Sequence, residues 1–130
     1  MVMLNSLKVL SKKKIVEYTN RRSASFNDIL SSDHNLLTFK FSAYGSSILY
    51  QIMKNYYDSC DISSEQIVNN IDYNLGSRNS ILNLIKVAEK KKLIEKVKSK
   101  SDARQKCIRP TKMLIASHEK MIAFILSIKN

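Results

Sequence analysis

The run "LIEKVKSKSDARQKCIRPTK", residues 93–112, decides how the rest of the chain is read. "LIEKV" has the character of a short strand, "KSKSDAR" that of a polar tip, and "QKCIR" that of a second strand running back. Pro110 closes the pair and Thr111 starts a helix, since proline stops a strand and a hydroxyl residue commonly opens a helical stretch. The expectation is a hairpin over about residues 93–110 with a cationic tip.

Upstream of the hairpin the period is helical. Ser77 is placed to cap a helix whose buried stripe is Ile81, Leu84, Ile85 and Ala88. Before it, "DISSEQIV" pairs Ser63 with Gln66 at capping-box spacing, and Ile62 with Ile67 where a hydrophobic staple would clamp the first turn, predicting a short helix over about residues 64–71. The turn "DYNLGS" joins the two into a helix-turn-helix. Tyr44, Ile48, Leu49, Ile52, Met53 and Tyr56 recur at spacings of three and four, a helix from about 42 to 60 with one apolar face.

The ends of the chain are helical too. Leu4, Leu7, Val9, Leu10, Ile15, Val16 and Tyr18 form an imperfect stripe in the first twenty residues, and "RRSASFNDILSSDHN" reads as a connecting loop with a helical turn at residues 26–30. Residues 111–128 carry Leu114, Ile115, His118, Met121, Ile122, Ile125 and Leu126 on one stripe, with Ala123, Phe124 and Ile128 beside it. That is more apolar surface than one core contact needs, so a second buried face, a subunit interface, is expected.

At 130 residues the chain has the size of a single domain, and its two glycines and one proline disfavour turn-rich β folds. Its net charge of +11 directs attention to nucleic acid, anionic membranes or acidic proteins. Residues 76–112 hold 12 basic and 3 acidic side chains, net +9, which leaves only +2 for the remainder. A uniform lysine bias would spread the charge, whereas a nucleic-acid face concentrates it. This segment contains no aromatic residue on which to stack bases, which favours a duplex over a single strand. The same basic face used as an adhesive for a protein or acidic partner, without reading DNA sequence, is the alternative.

Other classes are excluded or weakened. Gly45 and Gly76, the only glycines, cannot build a phosphate-cradling loop, and neither a nucleophile with a nearby histidine nor a metal-ligand spacing is evident. The reading is of a protein that is not an enzyme and needs no cofactor or metal. Cys60 and Cys107 are far apart and fit a reducing cytoplasm; the N-terminus is too polar for a signal segment, and no run is long enough to span a membrane. His118 on its apolar stripe reads as a core or interface histidine, and Cys107 as a buried strand cysteine in preference to a redox sensor.

The order of elements, with Asp102, Arg104 and Thr111 spaced as Asp, any residue, Arg, six residues, Thr, resembles the winged helix-turn-helix regulators of the MarR family over about residues 41–111. "KKLIEKV" is similar to the stretch that precedes the wing in that family. The resemblance implies a mostly α fold with a small β-wing and with N- and C-terminal dimerisation helices. Residues 41–110 would form the DNA-binding lobe, and 1–40 with 111–130 the dimerisation region. The partner implied is double-stranded DNA at a pseudo-palindromic site, bound by a homodimer that acts as a transcriptional regulator, a repressor, with a small-molecule effector as a further possibility.

Ser77, Arg78, Asn79, Ser80, Asn83 and Lys86 are the candidate recognition-helix residues, because Arg pairs with guanine and Asn with adenine in a major groove. In the wing, Arg104 is the candidate for a minor groove, Asp102 for holding that arginine, and Lys98, Lys100 and Lys106 for phosphates. Tyr44, Tyr50, Tyr56 and Tyr57 either line an effector pocket or, more simply, fill core and interface. The chain departs from the family pattern at Lys92, where glycine is usual and φ > 0 is therefore expected, and at Ala88, Pro110, Leu82 and Val87.

Overall fold

A computed structural model of the chain describes residues 11–32, 34–102 and 104–127, without the side chains of 25–32. Among these residues lie six helices and one two-stranded sheet: α1 (Lys12–Ser32), α2 (His34–Lys40), α3 (Ala43–Tyr57), α4 (Ser64–Asn69), α5 (Arg78–Lys90), β1 (Ile94–Lys98), β2 (Lys106–Pro110) and α6 (Lys112–Ser127). None of the helices is long and apolar enough to cross a membrane.

The core gathers one face from each of several elements. Leu36 and Phe39 of α2, Ile48, Leu49, Ile52 and Met53 of α3, Ile67 of α4, Ile81, Ile85 and Ala88 of α5, Ile94 and Ile108 of the sheet, and Leu114 and Met121 of α6 form one buried cluster. A fully buried Leu or Ile contributes about 1.5–3 kcal/mol, so this cluster is what holds the helix-turn-helix and the hairpin base together. Gly45 is required by space: a Cβ there would lie 2.7 Å from the Phe39 carbonyl oxygen, so the α2–α3 junction closes only over glycine.

The expected helix starts are realised by the expected atoms. Ser63 accepts the Gln66 backbone N–H while the Gln66 side chain accepts from the Ser63 N–H, and both staple residues, Ile62 and Ile67, are buried. Both α3 and α5 end in the same cap. The Ser59 N–H donates to Tyr56 and the Cys60 N–H to Asn55; likewise Lys92 donates to Glu89 and Leu93 to Ala88. Each cap needs a left-handed residue, and neither has glycine there: Ser59 has φ 57° and Lys92 φ 60°. The departure read at Lys92 is therefore a strained cap, and the one at Ser59 went unread.

Where a loop was expected over residues 21–35, the described residues are helix, α1 running to Ser32 and α2 starting at His34. Ser, Asn and Asp lower helix propensity by only a fraction of a kcal/mol each, roughly up to 0.7, so their density does not by itself end a helix already begun at Lys12. The first-helix stripe at Leu4, Leu7, Val9 and Leu10 lies outside the described residues, and Ile15, Val16 and Tyr18 are exposed on α1. The last helix matches its predicted span, with Leu114, His118 and Met121 buried but Ile122 and Leu126 open to solvent.

Candidate nucleic-acid interface

Helix α5 is positioned by its apolar face. Ser77 at its N-cap accepts the Ser80 N–H, as expected. Ile81, Ile85 and Ala88 are buried and Leu84 half-buried, so the opposite face is turned outward: Ser77, Arg78, Asn79, Asn83 and Lys86 are exposed and Ser80 half-exposed. The preceding turn is shaped by contact with α3. A Cβ on Gly76 would lie 2.6 Å from the Tyr44 ring, so the turn needs glycine for close approach and not for a left-handed backbone.

Arg78 is already engaged. Its guanidinium forms a two-pronged pair with the Glu65 carboxylate in the first turn of α4, one of the contacts being 2.9 Å. The hydrogen bond to Arg78 holds the Glu65 carboxyl below its ordinary range, and Glu65 holds the guanidinium above its own. To reach a base Arg78 must exchange this partner, a constraint the sequence reading missed because the two residues are read as belonging to separate helices.

The hairpin forms where expected, with Ile94 opposite Pro110, Lys96 opposite Ile108 and Lys98 opposite Lys106. Pro110 sits at the strand end, where its missing N–H leaves no gap in the ladder. The Thr111 hydroxyl donates to the Lys92 carbonyl at 2.7 Å and its N–H to Leu93 at 3.0 Å, so this threonine ties the start of α6 to the cap that ends α5. Lys98, Lys100, Asp102, Arg104 and Lys106 are all exposed.

Asp102 does hold Arg104, though through the backbone: Oδ1 accepts the Arg104 N–H at 3.0 Å, shaping the tip. The expected carboxylate–guanidinium bond is replaced because an aspartate two residues ahead can accept from the main chain without ordering a long side chain. Lys98 faces Lys106 across the ladder, and like charges opposite each other disfavour the sheet unless an anion lies between them.

The sequence reading also missed Asp61, in the linker before α4. Its carboxylate accepts from the Lys100 backbone N–H (3.1 Å), the Ser99 hydroxyl (3.1 Å) and Arg109 Nη2 (3.3 Å). The Lys100 N–H, chief among these, lowers its pKa despite partial desolvation. Beside it, the Ile108 N–H donates to the Ile62 carbonyl at 2.7 Å, so the linker runs along the outer edge of β2. No sequence spacing signals a partnership across 38 residues.

Cys107 is buried in β2, as expected, and Cys60 is exposed. His118 is a buried histidine, its Nδ1 3.4 Å from the Tyr57 hydroxyl and its pKa lowered first by burial, then by Lys40, against Glu119. Of the four tyrosines expected mainly as fillers, Tyr44 packs on the core while Tyr50, Tyr56 and Tyr57 are exposed in this chain. Tyr57, His118, Glu119, Ile122, Ala123 and Leu126 line a mostly apolar concavity of about 500 Å³.

In this order and geometry the elements make a winged helix-turn-helix of the MarR type, a mostly helical fold with a two-stranded wing. Among solved structures, a MepR variant from a multidrug-resistant S. aureus clinical isolate superposes with a TM-score of 0.64 at 15% identity, covering 92% of this chain and 79% of that one. The S. aureus MepR–DNA complex gives 0.56 at 16% identity, covering 94% and 79%. The heme sensor PefR in complex with heme and carbon monoxide gives 0.51 at 20% identity, covering 96% and 75%. Neither a protein-family profile nor a curated protein sequence matches the chain.

Proposed function

We propose that this protein is a transcriptional regulator that binds double-stranded DNA as a homodimer and acts as a repressor. The observation that carries the reading is the pairing of an outward polar face on α5 with an exposed cationic hairpin, in a fold shared with a protein solved on DNA. Asn79, Asn83, Lys86 and, once released from Glu65, Arg78 enter the major groove; Ser77 and Ser80 lie at the helix N-terminus, where backbone N–H groups favour phosphate. Arg104 takes the minor groove on a tip shaped by Asp102, with Lys98, Lys100 and Lys106 on phosphates; the Lys98–Lys106 repulsion is relieved by the phosphate it binds.

Residues 41–110 serve as the DNA-reading lobe, and the two ends of the chain as the dimerisation region. Ile15, Val16 and Tyr18 on α1, and Ile122 and Leu126 on α6, supply apolar surface that this chain alone leaves open. A twofold dimer presents two α5 helices to half-sites about one turn of DNA apart, which makes a pseudo-palindrome the target. The mostly apolar concavity at Tyr57 and His118, which shares Ile122 and Leu126 with the edge of that apolar surface, is the seat for a small-molecule effector, in keeping with the fold neighbour solved with heme.

Titration of random duplex DNA at several salt concentrations, followed by footprinting around the gene, tests the proposal. Steep salt dependence and a discrete palindromic footprint support it; absence of both assigns the basic face to a protein or acidic partner.

A further inference from the structure

We propose that Asp61 is a positioning residue for DNA binding: it latches the wing to the helical body and thereby sets where Arg104 points, without touching DNA itself. The inference rests on the DNA-binding reading above and adds the element on which it depends.

A continuous path of hydrogen bonds joins the linker to the tip. The Ser99 hydroxyl has one proton, which it donates to Asp61 Oδ2 at 3.1 Å, while accepting the N–H groups of Ser101 (3.2 Å) and Asp102 (3.4 Å). Ser99 is buried although it lies in the hairpin connection, so solvent does not readily replace its partners. The Ser99 N–H donates to Gln105 and the Gln105 N–H to Asp102, closing the turn whose Asp102 side chain accepts from Arg104. On the other strand Arg109 donates to Oδ1 of the same carboxylate. Asp61 therefore grips the connection that follows β1, through Ser99 and Lys100, and strand β2, through Arg109.

The latch makes a prediction opposite in sign to simple electrostatics. Asp61→Asn deletes a negative charge beside a cationic element, which by charge alone tightens binding to DNA. It also replaces one acceptor by an NH₂ group that faces donors, which frees the tip. Positioning therefore requires Asp61→Asn to weaken binding to the footprinted duplex, on the order of tenfold, the effect of losing one or two charge-assisted hydrogen bonds. Ser99→Ala, which alters no charge, is expected to weaken it in the same direction.

A double-mutant cycle separates positioning from a general structural effect. In an Arg104→Ala background Asp61→Asn should add little, because the group it positions is gone. Tighter or unchanged binding by Asp61→Asn, or full additivity with Arg104→Ala, overturns the proposal. Amide exchange at Lys100 and Asp102 in the free protein gives a readout that needs no DNA: acceleration in Asp61→Asn while the α5 amides stay protected supports the latch, and unchanged exchange overturns it. If the wild-type protein binds no duplex, the DNA reading fails while the exchange measurement still decides the latch.

Discussion

Helix α5 and the wing lie next to each other in sequence and both carry exposed cations, yet they are fixed by different forces. α5 is held by what it buries, Ile81, Ile85 and Ala88, so its outward residues stand on a rigid support. The wing is apolar only at its base; beyond Val97 its geometry comes from hydrogen bonds to Asp61, Ser99 and Asp102. The charges differ as well, since Arg78 on α5 is neutralised by Glu65 whereas Arg104 at the tip is bonded through its backbone. A buried face resists substitution at any one outward position, while a polar latch concentrates the geometry in a few atoms.

The largest expected effect breaks the helix side of this contrast. Ile85→Ala should destabilise the fold by about 2–5 kcal/mol in a denaturant titration and take DNA binding down with it. Arg104→Ala should cost roughly 1–3 kcal/mol in specific binding, by fluorescence anisotropy, with the unfolding midpoint unchanged. A lowered midpoint in that variant would mean that the tip supports the fold after all. Lys92→Gly relieves the left-handed backbone at the end of α5 and should stabilise the protein by about 1 kcal/mol, raising its Tm.

Glu65→Gln sharpens the contrast in charge. Releasing Arg78 and removing an acid should tighten duplex binding severalfold, most visibly at low salt in competition assays. The smallest effect is on pH dependence. Burial lowers the His118 pKa, so the unfolded chain takes up a proton below about 6.5 while the folded state resists it. Stability should therefore decline as pH falls from that value toward the folded pKa, and His118→Gln should flatten this limb of a pH series of thermal melts.

The hairpin, the capping box and the α5 cap were legible because each depends on residues close together in the chain, whereas the left-handed Lys92 was expected from the family resemblance, in which glycine is usual there. The second half of α1 was not: the start of the helix near Lys12 followed from its stripe, but the Ser, Asn and Asp residues from 21 to 32 signal a loop, and the described side chains from 12 to 24 are all exposed, so no core pattern carries the helix onward. Within the site, the outward residues of α5 followed from the period of its buried ones. Glu65 and Asp61 did not, because each meets its partner across elements whose relative placement a local pattern cannot supply.

The order of residues by itself determined a basic hairpin behind two helices, since turn chemistry, caps and apolar period act over a few positions. Only the tertiary structure decided that one acid silences Arg78 and another ties the hairpin connection to β2. An ion pair forms where packing brings two groups within hydrogen-bond distance, and packing is a property of the whole core.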